Sequence, residues 1–291
     1  MSASGKKPLI LFFLVIFLGA MVLGPLLYFA LAGFYPFHRV MDRALLITAV
    51  AALGLFWSRI SLRELWPLES AAWQQLLFGW AVALVSAQAL IGFDLALVGF
   101  TNSHLPVGDI VKLFLKALAA ALIVPLLEET VFRGFLQTEL IGRLGLRLGW
   151  LLAAAIFTLA HFLKIPPELD HQSVHLWSGI TAVGAACETV SHGSFLCVKG
   201  LNLFLIGLIL GGTFLRCGTL WFNAGLHGGW IFALLLFTGL TKPAEAPAFV
   251  WLAGDLPSNP LTSVILILLS LWLVSFYQPR CVTPENGENA P

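Results

Sequence analysis

The chain reads as an all-α polytopic membrane protein with about eight transmembrane helices, and three observations carry that reading. Hydrophobic residues make up 59% of its 291 positions and charged residues only 11%, against about 25% charged in an ordinary soluble domain. The apolar residues gather in runs that match the roughly 17–25 residues a helix needs to cross a bilayer. The few charges stand between the runs, with one conspicuous exception in the fourth.

Taken in order, Lys6 and Lys7 precede an apolar run over residues 8–34. Ala30-Leu31-Ala32 looks like a signal-peptidase site, but a secretory h-region is only about 7–15 residues long, so an uncleaved first helix is expected. Further helices are expected near 42–58, 71–93, 109–141, 147–163, 200–216, 219–239 and 261–278. The second and fifth are short for a full span. The fourth is long enough to protrude or to carry its polar turn in a solvated cavity. Residues 164–199, with Pro166-Pro167, Glu168, Asp170, His171, His175 and His192, read as a polar excursion. Residues 240–260, with four prolines, form a second one in which Phe249-Val250-Trp251-Leu252 would rest at the interface. The tail from Gln278 is polar and reads as disordered. The chain thus divides into residues 1–108 (helices one to three), 109–240 (the polar core with its insertion at 164–199) and 241–291 (interfacial loop, last helix and tail). No period of 20–50 residues repeats.

A net charge of +1 without a basic tract excludes nucleic acid as a partner and leaves the lipid bilayer as the environment. Lys and Arg serve better as topology markers. An inside N-terminus places Lys6, Lys7, Arg59, Arg63, Arg143, Arg147, Arg216 and Arg280 in the cytoplasm and Arg39, Arg43, Lys164, Lys199 and Lys242 opposite, so both termini are expected inside. The four cysteines show no CxxC or zinc-finger spacing, which indicates neither a disulfide framework nor a structural metal. A Cys187–Cys197 bridge across one loop is the alternative to free, packed cysteines.

The exception in the fourth run is Glu128-Glu129-Thr130-Val131-Phe132-Arg133. A charge at bilayer depth costs about 2.5–3.5 kcal/mol on insertion scales, so it faces a protein interior or a watery cavity and is functional by default. Glu129 and Arg133, four apart, share a helical face and can pair, while Glu128 points about 100° away. The pairing leaves one carboxylate over as a possible general base or acid; an ion pair that merely fixes packing is the plainer alternative. His161 ends the apolar stretch Ala153–Ala160, and His227 sits in Asn223-Ala224-Gly225-Leu226-His227-Gly228-Gly229. Asn223 lies one turn before His227 on the same face. The glycines would let neighbouring backbones approach closely. Groups that avoid lipid should converge in the bundle interior, and a carboxylate, two histidines and an amide are parts for activating water against a carbonyl.

In order and spacing, Glu128-Glu129-x-x-x-Arg133, Phe157-x-x-x-His161, and the glycine-rich helix leading through Gly218-Thr219-Leu220-Trp221 to Gly225-Leu226-His227 resemble the CPBP family. These are CAAX protease and bacteriocin-processing intramembrane proteases, Rce1-like, many of them bacterial. The resemblance covers about residues 110–235 and implies a four-helix catalytic core. It further implies that Glu128 and His161 activate the attacking water, that Glu129 and Arg133 support that carboxylate, and that His227 helps stabilise the oxyanion. Family members often carry Asn four residues after the last histidine, where this chain has Ile231; Asn223 is the residue that could supply the amide instead. The implied substrate is a membrane-associated or lipidated protein or peptide, and the implied setting is a bacterial inner membrane.

No cofactor is expected, since no HExxH pair is present. Zn²⁺ held by Glu128, His161 and His227 is the less favoured alternative. The i, i+4 pair His171 and His175 beside Asp170 reads as solvated loop histidines rather than a peripheral metal site. Two rivals come from other classes: a catalytically inactive scaffold that binds a partner helix, favoured by Ile231, and a transporter whose polar residues line an ion pathway. The ordered motifs and the absence of paired broken helices in an inverted repeat argue against the second.

Overall fold

The computed structural model describes residues 9–31, 34–55, 61–97, 100–171, 173–191, 193, 196–243 and 258–276. The interfacial segment Phe249–Leu252, Cys281, His192 and the polar tail lie outside them. Among the described residues the fold is all-α apart from one two-stranded ladder. Helices α1 (Leu9–Ala30) and α2 (Phe37–Leu55) form a hairpin, a single turn α3 (Leu62–Leu65) follows, and α4 (Ser70–Leu97) leads to strand β1 (Phe100–Asn102). Then come α5 (Val107–Glu129), a π-helical segment (Thr130–Gln137), α6 (Thr138–Leu144) and α7 (Leu146–Ala160). The chain continues through a 3₁₀ turn (Pro167–His171), α8 (Ser178–Ser191), α9 (Val198–Cys217), α10 (Trp221–Leu240), strand β2 (Thr241–Pro243) and α11 (Pro260–Phe276). Strands β1 and β2 pair antiparallel with Thr101 opposite Lys242, which ties the end of α10 to the start of α5.

Each expected span coincides with a helix, and five stretches are long and apolar enough to cross a membrane: Leu9–Ala30, Ala71–Phe93, Val107–Leu144, Val198–Cys217 and Trp221–Leu240. The remaining three differ for physical reasons. Helix α2 carries Arg39, Asp42 and Arg43 near its start. Helices α7 and α11 are shorter; the 15 residues of α7 rise about 22 Å, short of a hydrocarbon core of about 30 Å. Among the described residues, five helices thus reach full spanning length, and the count of eight is not established. The excursion at 164–199 also holds more structure than expected, because α8 forms within it. Its small residues Ala182, Val183 and Ala186 bury against Phe37, Met41 and Ile165, and Gly179 lies against the Met21 backbone of α1.

Helix α10 is central because α4 and α5 both lie directly against it. A Cβ on Gly225 would collide with the Leu76 carbonyl of α4, and one on Gly228 with the Ala121 carbonyl of α5. Backbone contact of this kind is how helices associate where no hydrophobic effect drives them together. Gly218, at φ 68°, closes α9 in the left-handed region and turns the chain straight into α10. Cys187 and Cys197 are free and exposed, and Cys217 is buried.

Candidate active site

The polar turn of the long stretch Val107–Leu144 is where its helix changes type. Helix α5 ends at Glu129, and the next eight residues are π-helical. Such wide turns are uncommon and recur at functional sites. Here the turn delivers two adjacent carboxylates into two different environments.

Glu129 is fully buried, and its carboxylate is saturated. Oε1 accepts from Arg133 Nη1 at 3.2 Å and from His227 Nδ1 at 2.8 Å, and Oε2 accepts from Asn223 Nδ2 at 3.3 Å. The guanidinium of Arg133 lies over the Phe157 ring, 4.3 Å from its centroid, adding cation–π attraction to the ion pair. Asn223 is itself fixed at both ends of its amide. Its Nδ2 also donates to Leu210 O at 2.5 Å, and Thr213 Oγ1 lies 2.9 Å from its Oδ1, in position to donate. Both amide hydrogens are therefore engaged inside the protein.

Glu128 is different. Its side chain keeps 23% of its exposure, and Oε2 has no hydrogen-bond partner among the described residues. His227 Nε2 stands 3.8 Å from that oxygen, too far for a direct hydrogen bond. His227 thus bridges the two glutamates, its Nδ1 on Glu129 and its Nε2 toward Glu128. His161 follows the last turn of α7, and its Nδ1 lies 2.8 Å from Phe157 O. A carbonyl can only accept, so Nδ1 carries the hydrogen and Nε2 keeps its lone pair.

Glu128 and His161 line one cavity of about 390 Å³. Its walls come from α1 (Phe12, Phe13, Ile16, Phe17), α2 (Leu45, Leu46, Ala49), the π segment and α7, and its rim carries Asp42, Arg43 and Lys164. The volume falls within the roughly 300–1,000 Å³ of ligand pockets, which are mostly apolar with a few convergent polar groups.

The structure therefore brings Glu128, Glu129, Arg133, Asn223 and His227 into one hydrogen-bonded or ionic cluster, and places His161 beside Phe157, whose ring also lies against Arg133 and 6.2 Å from His227. Ile231 is half-buried on α10. Two residues outside the motifs are buried polar groups near the site: Thr213, which contacts Asn223, and Gln137, whose Nε2 donates to Gly211 O at 3.1 Å. Gln137 and Thr213 could have been found as buried polar groups in apolar helices. Asp170 does not join His175. Both of its oxygens engage His38, one at the backbone N–H (2.9 Å) and one at Nδ1 (2.5 Å). No group of three His, Cys, Asp or Glu side chains among the described residues is arranged to hold a metal ion. Zn²⁺ at Glu128, His161 and His227 would have to use Nε2 of both histidines, because each Nδ1 is engaged.

A multi-pass helical bundle of this kind, with a carboxylate and histidine cluster beside an apolar cavity, is an integral membrane protein. Residues 110–233 match the family model for type II CAAX prenyl endopeptidases, Rce1-like, the family the motifs resemble. That family implies intramembrane endopeptidase activity in a lipid bilayer. No curated protein matches the chain.

Proposed function

We propose that the protein hydrolyses a peptide bond in a membrane-associated or lipidated substrate, with water activated by Glu128 and His161. The observation that carries this is the unequal setting of the two glutamates: Glu129 saturated and sealed, Glu128 open to the cavity it shares with His161. Glu128 takes a proton from water while His161 Nε2 holds the water by a second hydrogen bond. The hydroxide equivalent adds to the scissile carbonyl. The proton then passes to the departing amine as the C–N bond breaks, which releases an acid and an amine. Arg133 and His227 act from behind Glu128, Arg133 through its ion pair with Glu129 and His227 with Nδ1 on Glu129 and Nε2 3.8 Å from Glu128; a protonated His227 would present Nε2–H to the developing negative charge.

Asn223 takes a different part in this scheme from the oxyanion donor suggested by the gap at Ile231. With both amide hydrogens on Glu129 and Leu210, it holds Glu129, which in turn orients His227. Asn223→Ala should lower activity by way of a mispositioned His227. Unchanged proteolysis by that variant would remove Asn223 from the scheme. The division between the glutamates is tested by Glu128→Gln against Glu129→Gln, assayed for cleavage and for thermal unfolding in detergent. Glu128→Gln should lose about 10²–10⁴ in rate at an unchanged melting temperature. Glu129→Gln should lower both rate and melting temperature. The reverse pattern would exchange the two roles.

A further inference from the structure

The π turn that separates the two glutamates is braced from the side away from the cavity. Thr130, two residues past Glu128, stands about 200° round the helix from it, and neither Thr130 nor its partner Trp66 lines the cavity. Trp66 Nε1 donates to Thr130 Oγ1 at 3.1 Å, and Thr130 Oγ1 donates to Leu126 O at 2.6 Å. An indole N–H can only donate, so the threonine oxygen accepts from it and its single hydrogen is committed to the carbonyl. The hydroxyl therefore holds the helix at the junction where α-helical pairing gives way to the wider turn. At the far end Thr138 Oγ1 donates to Arg133 O, five residues back, at 3.2 Å.

Trp66 is itself fixed. Its ring meets that of Trp221 edge-on with 4.9 Å between centroids, Trp221 Nε1 donates to Pro67 O at 2.8 Å, and the backbone N–H of Leu220 donates to Leu65 O at 2.9 Å. Leu65 also fills the space over Gly134, where a Cβ would come 2.6 Å from its Cδ1. Three consecutive residues thus grip the π segment, at Thr130 and Gly134, and the start of α10, at Leu220 and Trp221. The first of these elements follows directly on Glu128 and Glu129 and carries Arg133; the second carries Asn223 and His227. Residues 65–67 lie outside the segment that the family model matches.

We infer that Leu65-Trp66-Pro67 is a clamp that sets the π turn against α10, and that Trp66 is a positioning residue which, through the Thr130 hydroxyl, holds Glu128 in the cavity and 3.8 Å from His227. This rests on the proteolytic reading of Glu128 and His161. Trp66 acts through Thr130 and not on the substrate. It bears on the rate because a general base must stand within hydrogen-bond reach of the proton it takes. A misplacement of 1 Å costs up to about 10²-fold, whereas one neutral hydrogen bond contributes little to the stability of the whole fold.

The test uses the full-length protein in proteoliposomes with a labelled membrane-protein substrate. Trp66→Phe removes the indole N–H and keeps a ring against Trp221, Thr130→Val removes the hydroxyl at similar volume, and Thr130→Ser keeps it. Trp66→Phe and Thr130→Val should each lower kcat about tenfold at unchanged KM. The double variant should lose no more than Thr130→Val alone, because both changes break the same chain of hydrogen bonds. Thr130→Ser should behave as wild type. Losses that multiply in the double variant, or a defect that serine does not rescue, overturn the positioning role. A second readout needs no substrate: the rate at which a hydrophobic carbodiimide labels Glu128, followed by mass spectrometry with the exposed Glu168 as internal reference. That rate should change severalfold in Trp66→Phe and in Thr130→Val, and an unchanged rate in both overturns the clamp. Changed labelling in the variants of a protein that cleaves no substrate would keep the clamp and reject proteolysis. Cleavage by wild type, with kcat and labelling unaltered in the variants, would keep proteolysis and reject the clamp.

Discussion

An ionised carboxylate withdrawn from water costs several kcal/mol unless its partners replace the lost solvation, and Glu129 meets that condition with three donors. Removing one partner should be severe. Arg133→Leu leaves Glu129 buried without its cation, and a loss of about 3–5 kcal/mol is expected, read as a large drop in thermal stability in detergent. A variant that melts like wild type would show that the pair is not what holds this turn. The pairing itself was legible in the sequence, because residues four apart share a face. Which glutamate opens to the cavity was not, since that depends on where α1, α2 and α7 leave a space. The part taken by Asn223 was equally hidden. Its spacing to His227 fixed its face, but only the packing of α9 brings Leu210 and Thr213 to its amide.

Helices α4, α5 and α10 meet through backbone, and their glycines record this in the sequence. Gly225→Leu should fail to give a folded protein, and Gly225→Ala should melt lower by an amount corresponding to about 1–3 kcal/mol. Wild-type stability in Gly225→Ala would mean that α4 and α10 do not touch as described. The cavity wall makes the opposite test: Ala49→Trp fills space beside Glu128 and His161 and should block cleavage while the protein stays folded. The π turn, α8, the single turn α3 and the β1–β2 ladder have no counterpart in the sequence expectations. The π turn left no trace because Thr130–Gln137 keeps a helical spacing of apolar and polar residues that an ordinary α-helix would also show. Helix α8 was hidden because its buried face is built of glycine, alanine and valine among polar residues, a composition that also reads as a loop.

At the scale of the whole molecule, the segment matched by the family model, residues 110–233, holds the proposed reacting groups, whereas α1 and α2 supply much of the cavity wall. The hairpin, the 3₁₀ turn and α8 share a hydrophobic cluster of their own, so the region that shapes the cavity lies largely outside the motifs that define the chemistry. The order of the main apolar helices was legible because apolar runs report span length; their total number was not, since α3 and α8 add to the eight expected. Their depth was not, since α7 is too short to cross and carries His161 at its end. The excess of Lys and Arg predicts both termini on the cytoplasmic side, which tags at each end, probed for accessibility in sealed vesicles, should report together. The central claim is that Glu128 and His161 activate water without a metal. It is tested most directly by purified wild type, Glu128→Ala and His161→Ala in proteoliposomes, assayed on a membrane-protein substrate with and without chelator. The account predicts cleavage by wild type alone and no effect of the chelator. Equal processing by all three proteins would contradict the assignment of these residues, and loss of wild-type activity on chelation would contradict the metal-free chemistry.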